Sequence, residues 1–209
     1  MKTIFKTALL ICAFFVGIQT IAGQQTVSSA SKNLLEDGGV SNNAMWRLNC
    51  GTNSDTGVKP DNCISIDPSE GKKAKGSILL VGNSGREWRS MRYTKSIPVE
   101  PGKKYHISGW VKTENISKKS RIYLDFNVKI KDENGKPGEY IAKELFPKTN
   151  EMAFDKVKGT HDWTLIECTY IIPETAYFIV NFRLRYDPVI DDSESSKVWF
   201  DDFSIEEII

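Results

Sequence analysis

Lys103–Lys112 reads Lys-Lys-Tyr-His-Ile-Ser-Gly-Trp-Val-Lys, and Arg121–Lys131, taken as its partner, reads Arg-Ile-Tyr-Leu-Asp-Phe-Asn-Val-Lys-Ile-Lys. Both runs alternate with period two, so each is a strand with one apolar and one polar face. In the second, Ile122, Leu124, Phe126, Val128 and Ile130 point one way, and Tyr123, Asp125, Asn127, Lys129 and Lys131 the other. In the first, Tyr105, Ile107, Gly109 and Val111 share a face; His106, Ser108, Trp110 and Lys112 share the opposite one. The apolar faces are core. The other faces carry rings, amides, imidazole and carboxylate, an unusual mixture for idle surface.

The same alternation recurs outward from this pair. Trp88–Val99 puts Met91, Tyr93, Ile97 and Val99 on one side and Trp88, Ser90, Arg92 and Thr94 on the other. Ala176–Tyr186 reads with Phe178, Val180, Phe182 and Leu184 inward, and Tyr177, Ile179, Asn181, Arg183 and Arg185 outward. Shorter runs at Asn33–Glu36, Met45–Leu48, Ile64–Asp67, Ser77–Val81, Tyr140–Phe146, Thr164–Ile172 and Val198–Ile205 are separated by Gly, Pro, Asn and Asp. No amphipathic helix, repeat or linker interrupts Asn33–Ile209. About ten short strands between turn signals predict an antiparallel two-sheet β-sandwich or a barrel.

The chain opens differently. Lys2 and Lys6 precede an apolar run from Ala8 to Ile18, followed by Ala22 and Gly23. That pattern predicts a signal peptide over residues 1–23 and a protein secreted to the periplasm or the exterior. A polar, flexible segment is expected over 24–32 and one domain over 33–209. The formal charge is +1, and losing Lys2 and Lys6 turns it to about −1. A near-neutral chain offers no electrostatic case for nucleic acid, and the apolar run is too short for comfortable membrane insertion.

Three cysteines lie beyond the leader. Cys50 and Cys63 flank a loop rich in Gly, Asn, Asp and Pro, and in an exported chain a disulfide between them is expected. Cys168 shares the parity of Ile166 and Tyr170 and reads as a buried thiol rather than a nucleophile.

Several motifs follow one another in a telling order: Asn-Leu-Leu-Glu at 33–36, Lys-Gly-Ser at 75–77, Pro101–Glu114, Gly-Thr-His-Asp-Trp-Thr at 159–164 and Val198–Ile205. In this the chain resembles the calcium-containing jelly-roll carbohydrate-binding modules of bacterial xylanases and glucanases. The resemblance covers Asn33 to Ile209. It implies a jelly roll, a polysaccharide or oligosaccharide ligand, association with glycan-degrading enzymes and no catalysis. It also implies a structural calcium joining the first and last strands. By position Glu36 and Asp202 match its acidic ligands, and Lys75, with Leu34 or Gly38, would add backbone carbonyls.

Sugars present apolar C–H faces and rings of hydroxyls, which proteins hold with aromatic rings and planar polar groups. The outward positions supply Trp88, Arg92, His106, Trp110, Tyr123, Asp125, Asn127, Asn181 and Arg183, and the resemblance gathers them onto one concave sheet. Two other classes remain open. A jelly-roll polysaccharide lyase would use His106 or Tyr123 to move the proton and Asn181 with Arg183 to neutralise a uronate. A structural or adhesive module would show an apolar outward face.

Overall fold

The computed structural model describes residues 32–40, 45–50, 63–82, 88–131, 137–145, 157–189, 191–193 and 195–209. At Leu48, Lys131, Asn181 and the strand 137–145 it describes the backbone alone. The expected signal peptide and the polar segment after it, save Lys32, lie outside the described residues.

Every element of the described residues is a strand: β1 Trp46–Cys50, β2 Ile64–Asp67, β3 Ser77–Val81, β4 Arg89–Tyr93, β5 Ile97–Pro98, β6 Lys104–Ile116, β7 Arg121–Lys131, β8 Pro137–Leu145, β9 Gly159–Ile171, β10 Ala176–Asp187 and β11 Lys197–Glu207. They form two antiparallel sheets, ordered β1-β4-β10-β7-β8 with β5 against β10, and β2-β3-β11-β6-β9. This is the anticipated β-sandwich, a jelly roll. Its core is made by the alternate residues of both sheets, among them Met91, Ile107, Val111, Leu124, Val128, Phe182, Leu184 and Phe200.

The pair that opened the reading is not a pair. β6 lies in the second sheet between β11 and β9, whereas β7 lies in the first between β10 and β8. The few residues from Ser117 to Ser120 carry the chain from one sheet to the other. Burial alternates in β6, with Tyr105, Ile107, Gly109 and Val111 buried; in β7 Ile122, Leu124, Phe126 and Val128 are buried as expected, and Tyr123 and Asp125 on the other parity are buried as well.

β10 departs from strict alternation. Ile179 and Phe182 are both fully buried although three residues apart, and Phe178 is 37% exposed. The register against β7 shifts between Val180 and Arg183. A β-bulge adds one residue and swaps the faces on its N-terminal side. The reading with Phe178 and Val180 inward therefore fails, while Phe182 and Leu184 inward stands.

A second irregularity closes one end. The β11–β6 register breaks between Asp201 and Ser204, and Asp202 takes a φ of 50°. A break leaves backbone groups needing partners. Asn33 supplies them: its Nδ2 donates to the Phe203 carbonyl at 3.0 Å and its Oδ1 accepts from the Ile205 amide at 3.0 Å. The Phe203 amide donates to the Gly38 carbonyl at 2.8 Å. Residues 33–36, expected as a short strand ending in a turn, are part of a turn-rich strap over 33–40. The strap also meets the first sheet, where Tyr93 Oη accepts from the Glu36 amide and Trp46 Nε1 donates to the Asp37 carbonyl, both at 3.0 Å.

Cys50 and Cys63 are disulfide-bonded. Cys50 ends β1, an edge of the first sheet, and Cys63 precedes β2, an edge of the second. The bond staples the two sheets together at that edge.

Candidate functional site

Parity sets the outward face of the first sheet. Trp46, Met91, Phe182 and Leu184 are buried, so Arg47, Asn49, Ser90, Arg92, Arg183 and Arg185 project from the other side. The register lines them up across strands: Arg47 faces Arg92, Arg92 faces Arg183, and Arg183 faces Asp125 on β7. The next rank runs Asn49, Ser90, Arg185, Tyr123. Arg47, Asn49, Ser90, Arg92 and Arg183 line a cavity of about 240 Å³.

The floor beside the cavity is tied down. Arg183 grips Asp125 with two bonds, Nε to Oδ1 at 2.8 Å and Nη2 to Oδ2. Asp125 is 5% exposed, so this charge-assisted fork is held in a sheltered place and fixes the guanidinium plane. Tyr123 lies with Arg121 and Arg185 against its ring, at 4.6 and 5.2 Å from the centroid. Its hydroxyl donates to Asp187 at 2.9 Å, and Arg185 donates to the same carboxylate at 3.0 Å. Burial, reinforced by the neighbouring Asp187 charge, pushes the Tyr123 phenol well above the usual range. Tyr123 is thus a neutral donor inside the floor, not an exposed platform. Trp88 is half-buried, with the Arg185 guanidinium 5.1 Å from its ring centroid; solvent reaches this ring beside the cavity, as it reaches Phe178 farther along the sheet.

The expected site residues divide between two surfaces. Trp88, Arg92, Tyr123, Asp125, Asn127 and Arg183 share the outward face of the first sheet. Asn181 lies in the β10 bulge, with its side chain outside the described residues. His106 and Trp110 stand on β6, on the outward face of the second sheet. Sheets in a sandwich are about 10 Å apart, and the two outward faces look away from each other. The expectation of a single wall is therefore corrected for these two residues. Trp110 packs beneath the turn after β2, with Lys72 Nζ 3.9 Å from its ring centroid and the Lys72 amide donating to Asp201. His106 pairs with Glu167 at 2.9 Å. The separation also takes His106 away from Tyr123 and Arg183, so a lyase constellation containing it does not assemble.

Arg47, Asn49, Ser90 and Arg185 were not anticipated in the site. Met45–Leu48 reads as an apolar patch, yet its parity already put Arg47 and Asn49 on one side and the buried Trp46 on the other. An adhesive module called for an apolar face. That of the first sheet is polar around the cavity, with Phe178 exposed at 37% farther along β10; the second exposes Leu165 at 42% and Ile171 at 60% on its edge strand β9.

The anticipated metal ligands take separate partners. Asp202 presents a buried Oδ2 that makes no hydrogen bond, although Lys73 Nζ lies 3.3 Å away. Its Oδ1 approaches Gly39 in the strap. Glu36, however, is largely exposed and pairs with Lys95 at 2.5 Å. The Lys75 side chain is exposed, leaving only its carbonyl to offer. Among the described residues no three His, Cys, Asp or Glu groups converge as a metal centre. Cys168 is a free thiol that is half-buried rather than buried; desolvation pushes it up to about 12, which matches an unreactive thiol.

Comparison with known proteins decides the family. The family described as carbohydrate binding domain matches residues 32–188, more than half of the 209 residues. The chain belongs to the carbohydrate binding domain family. This carbohydrate-binding domain is similar in structure to a family 61 module in complex with β-1,4-galactotriose, at 14% identity over 85% of this chain and 100% of that one, TM-score 0.48. It is also similar to the CBM22-1 xylan-binding domain from Paenibacillus barcinonensis, at 17% identity over 87% and 97% of the two chains, TM-score 0.42. Among curated sequences it is 28% identical over 184 residues to the tRNA nuclease WapA of Bacillus subtilis, covering 85% of this chain. The chain spans only 7% of the length of that relative. Among the described residues no helix is long and apolar enough to cross a membrane.

Proposed function

We propose that this domain is a secreted, non-catalytic glycan binder. The sugar lies against the outward face of the first sheet, in the cavity between β1, β4 and β10. The observation that carries the reading is the cavity itself, lined by guanidinium, amide and hydroxyl groups beside the Arg183–Asp125 fork. Such a site orients a sugar ring through hydrogen bonds, while Trp88 at its side offers a face for C–H stacking. Preformed donors held by a sheet lose little entropy on binding, which suits a module of modest affinity per ring.

The test is retention in polysaccharide-containing gels. Trp88→Ala combined with Asn49→Ala is expected to weaken retention at least about tenfold, the scale of losing one well-packed aromatic contact. Trp110→Ala, on the other sheet, is expected to migrate as wild type. Retention lost in Trp110→Ala but kept in the double variant would sink this assignment.

Three further parts belong to the same reading. Export is supported by the leader pattern at 1–23, and mass spectrometry of the mature protein would find its N-terminus after Ala22 or Gly23. Work beside glycan-degrading enzymes is supported by family membership. A structural calcium at Asp202 is supported by its buried oxygen without a hydrogen bond and its left-handed backbone. It would require Glu36 to leave Lys95, or carbonyls of the strap to take its place.

A further inference from the structure

We propose that the glycan held by this cavity is anionic, a polysaccharide bearing carboxylate or sulfate groups, with Arg47 and Arg92 reading the charge. The inference rests on the binding reading above and narrows its ligand class. Arg47, Arg92 and Arg183 occupy facing positions on three successive strands. Facing side chains on one side of a sheet have Cβ atoms about 4.5–5.5 Å apart, and like charges so placed destabilise the pairing. Asp125 answers Arg183, and the charge of Arg47 at the open end of the rank is one that a bound oxyanion would meet.

The balance of charge around the cavity points the same way. Three of its lining residues are arginines, and among the described lining residues none is acidic. Asp125 is the acid next along the rank, and both its oxygens are engaged by Arg183 at the far end from Arg47. Arg47 is exposed, and among the described residues no carboxylate pairs with it.

The donor inventory decides between neutral and charged sugars. Hydroxyls both donate and accept, so neutral sugars are matched by mixed amide and carboxylate groups. A guanidinium has five donors and no acceptor. A rank of guanidiniums is matched by groups that only accept, and its planar forks fit carboxylate or sulfate oxygens two at a time. Arg183, already fixed by Asp125, acts as a positioning residue that sets the plane and spacing of the rank. Asn49 and Ser90 remain for the ring hydroxyls. The cavity falls below the usual range of about 300–1,000 Å³ for ligand sites, which suits one charged ring of a chain.

The experiment is titration calorimetry of the wild-type protein with polygalacturonate, a sulfated galactan and neutral β-1,4-galactan, with tRNA as a fourth arm. At least one acidic polysaccharide is expected to bind about tenfold or more tighter than the neutral one, and the two acidic arms distinguish carboxylate from sulfate. Added salt should erode that preference through screening. Arg47→Gln and Arg92→Gln should each weaken acidic binding about tenfold, the scale of one lost hydrogen bond to a charged group. Arg47 is exposed, so its variant keeps the wild-type melting temperature. Neutral galactan binding as tightly as both acidic polymers, or Arg47→Gln binding them like wild type, would overturn the anionic assignment and leave glycan binding standing. Binding to no polysaccharide, or to tRNA in preference to all of them, would overturn both.

Discussion

Breaking the Cys50–Cys63 bond tests the link between the sheet edge and the site. The two residues are 13 apart in sequence. In the chain-entropy account, closing a loop of that length stabilises by about 3 kcal/mol. A domain of this size loses roughly 2–4 °C of melting temperature per kcal/mol, so reduction, or Cys50→Ser with Cys63→Ser, should lower it by roughly 6–12 °C. The position of the bond adds a functional consequence. β1 has one sheet neighbour, β4, and the disulfide ties its last residue to the opposite sheet. Arg47 and Asn49 stand on that strand and line the cavity. Freed of the bond, the edge should fray before the rest of the fold, and glycan retention should weaken at temperatures where circular dichroism still reports an intact sandwich. The assay is a scanning calorimeter and a retention gel, each with and without reductant. Equal melting temperatures would refute the entropy estimate. A lowered melting temperature with undiminished retention would refute the role of the bond in presenting β1.

Gly109 lies inward on β6, and a methyl group there would come 2.2 Å from Cε1 of Phe203. Gly109→Ala should therefore cost about 1–3 kcal/mol as an overpacked core, read by thermal melting. Phe203→Leu in the same chain should recover part of that loss, and strict additivity would contradict the contact. Asp67 is pulled two ways: burial raises its carboxyl, but hydrogen bonds from the Ser69 side chain, Trp199 and the backbone together hold it below the usual value. A depressed carboxyl stabilises above its unfolded value of about 4 and loses that contribution as pH falls through the folded one. The stability gap between wild type and Asp67→Asn, measured by denaturant titration, should shrink below about pH 4; a gap constant with pH would exclude the effect. If calcium is bound near Asp202, a chelator should lower the melting temperature by removing native-state ligation, and an unchanged curve would remove the metal from the account.

The sequence spoke clearly wherever alternation was unbroken. β7 and β4 each show the faces that period two assigns, although Tyr123, Asp125 and Ser90 on the outward parity are buried as well. It spoke wrongly where a residue is added. Nothing local in Phe178–Phe182 marks the bulge, because Phe, Ile and Val are apolar on both parities and either assignment buries grease. The departure is fixed by pairing with β7, a partner some fifty positions away in the chain. The strap at 33–40 failed for a related reason: Asn33 and Leu34 read as strand, but their bonding groups are committed to the break in β11 at the other end of the sequence.

The division of the expected site has a deeper cause. Period two separates inside from outside, but it carries no label for which outside. In a sandwich both sheets alternate, and a His106 or Trp110 facing solvent from one is indistinguishable in pattern from an Arg92 facing solvent from the other. That label comes from topology. Neighbouring runs invite the inference that they pair, as hairpins do, yet the turn between β6 and β7 crosses between sheets. Once each strand has its sheet, the outward residues sort without further information: those on β1, β4 and β10 converge on one cavity with those of β7 beside it, and those on β6 lie beneath the turn after β2 or along β9. Arg47 illustrates what is gained. On a five-residue edge strand it has no local signature, and only its place opposite Arg92 makes it part of a site. The chemistry of this surface is therefore a property of registers between distant segments, and that is why changing the edge strand should alter ligand preference while leaving the core as it is.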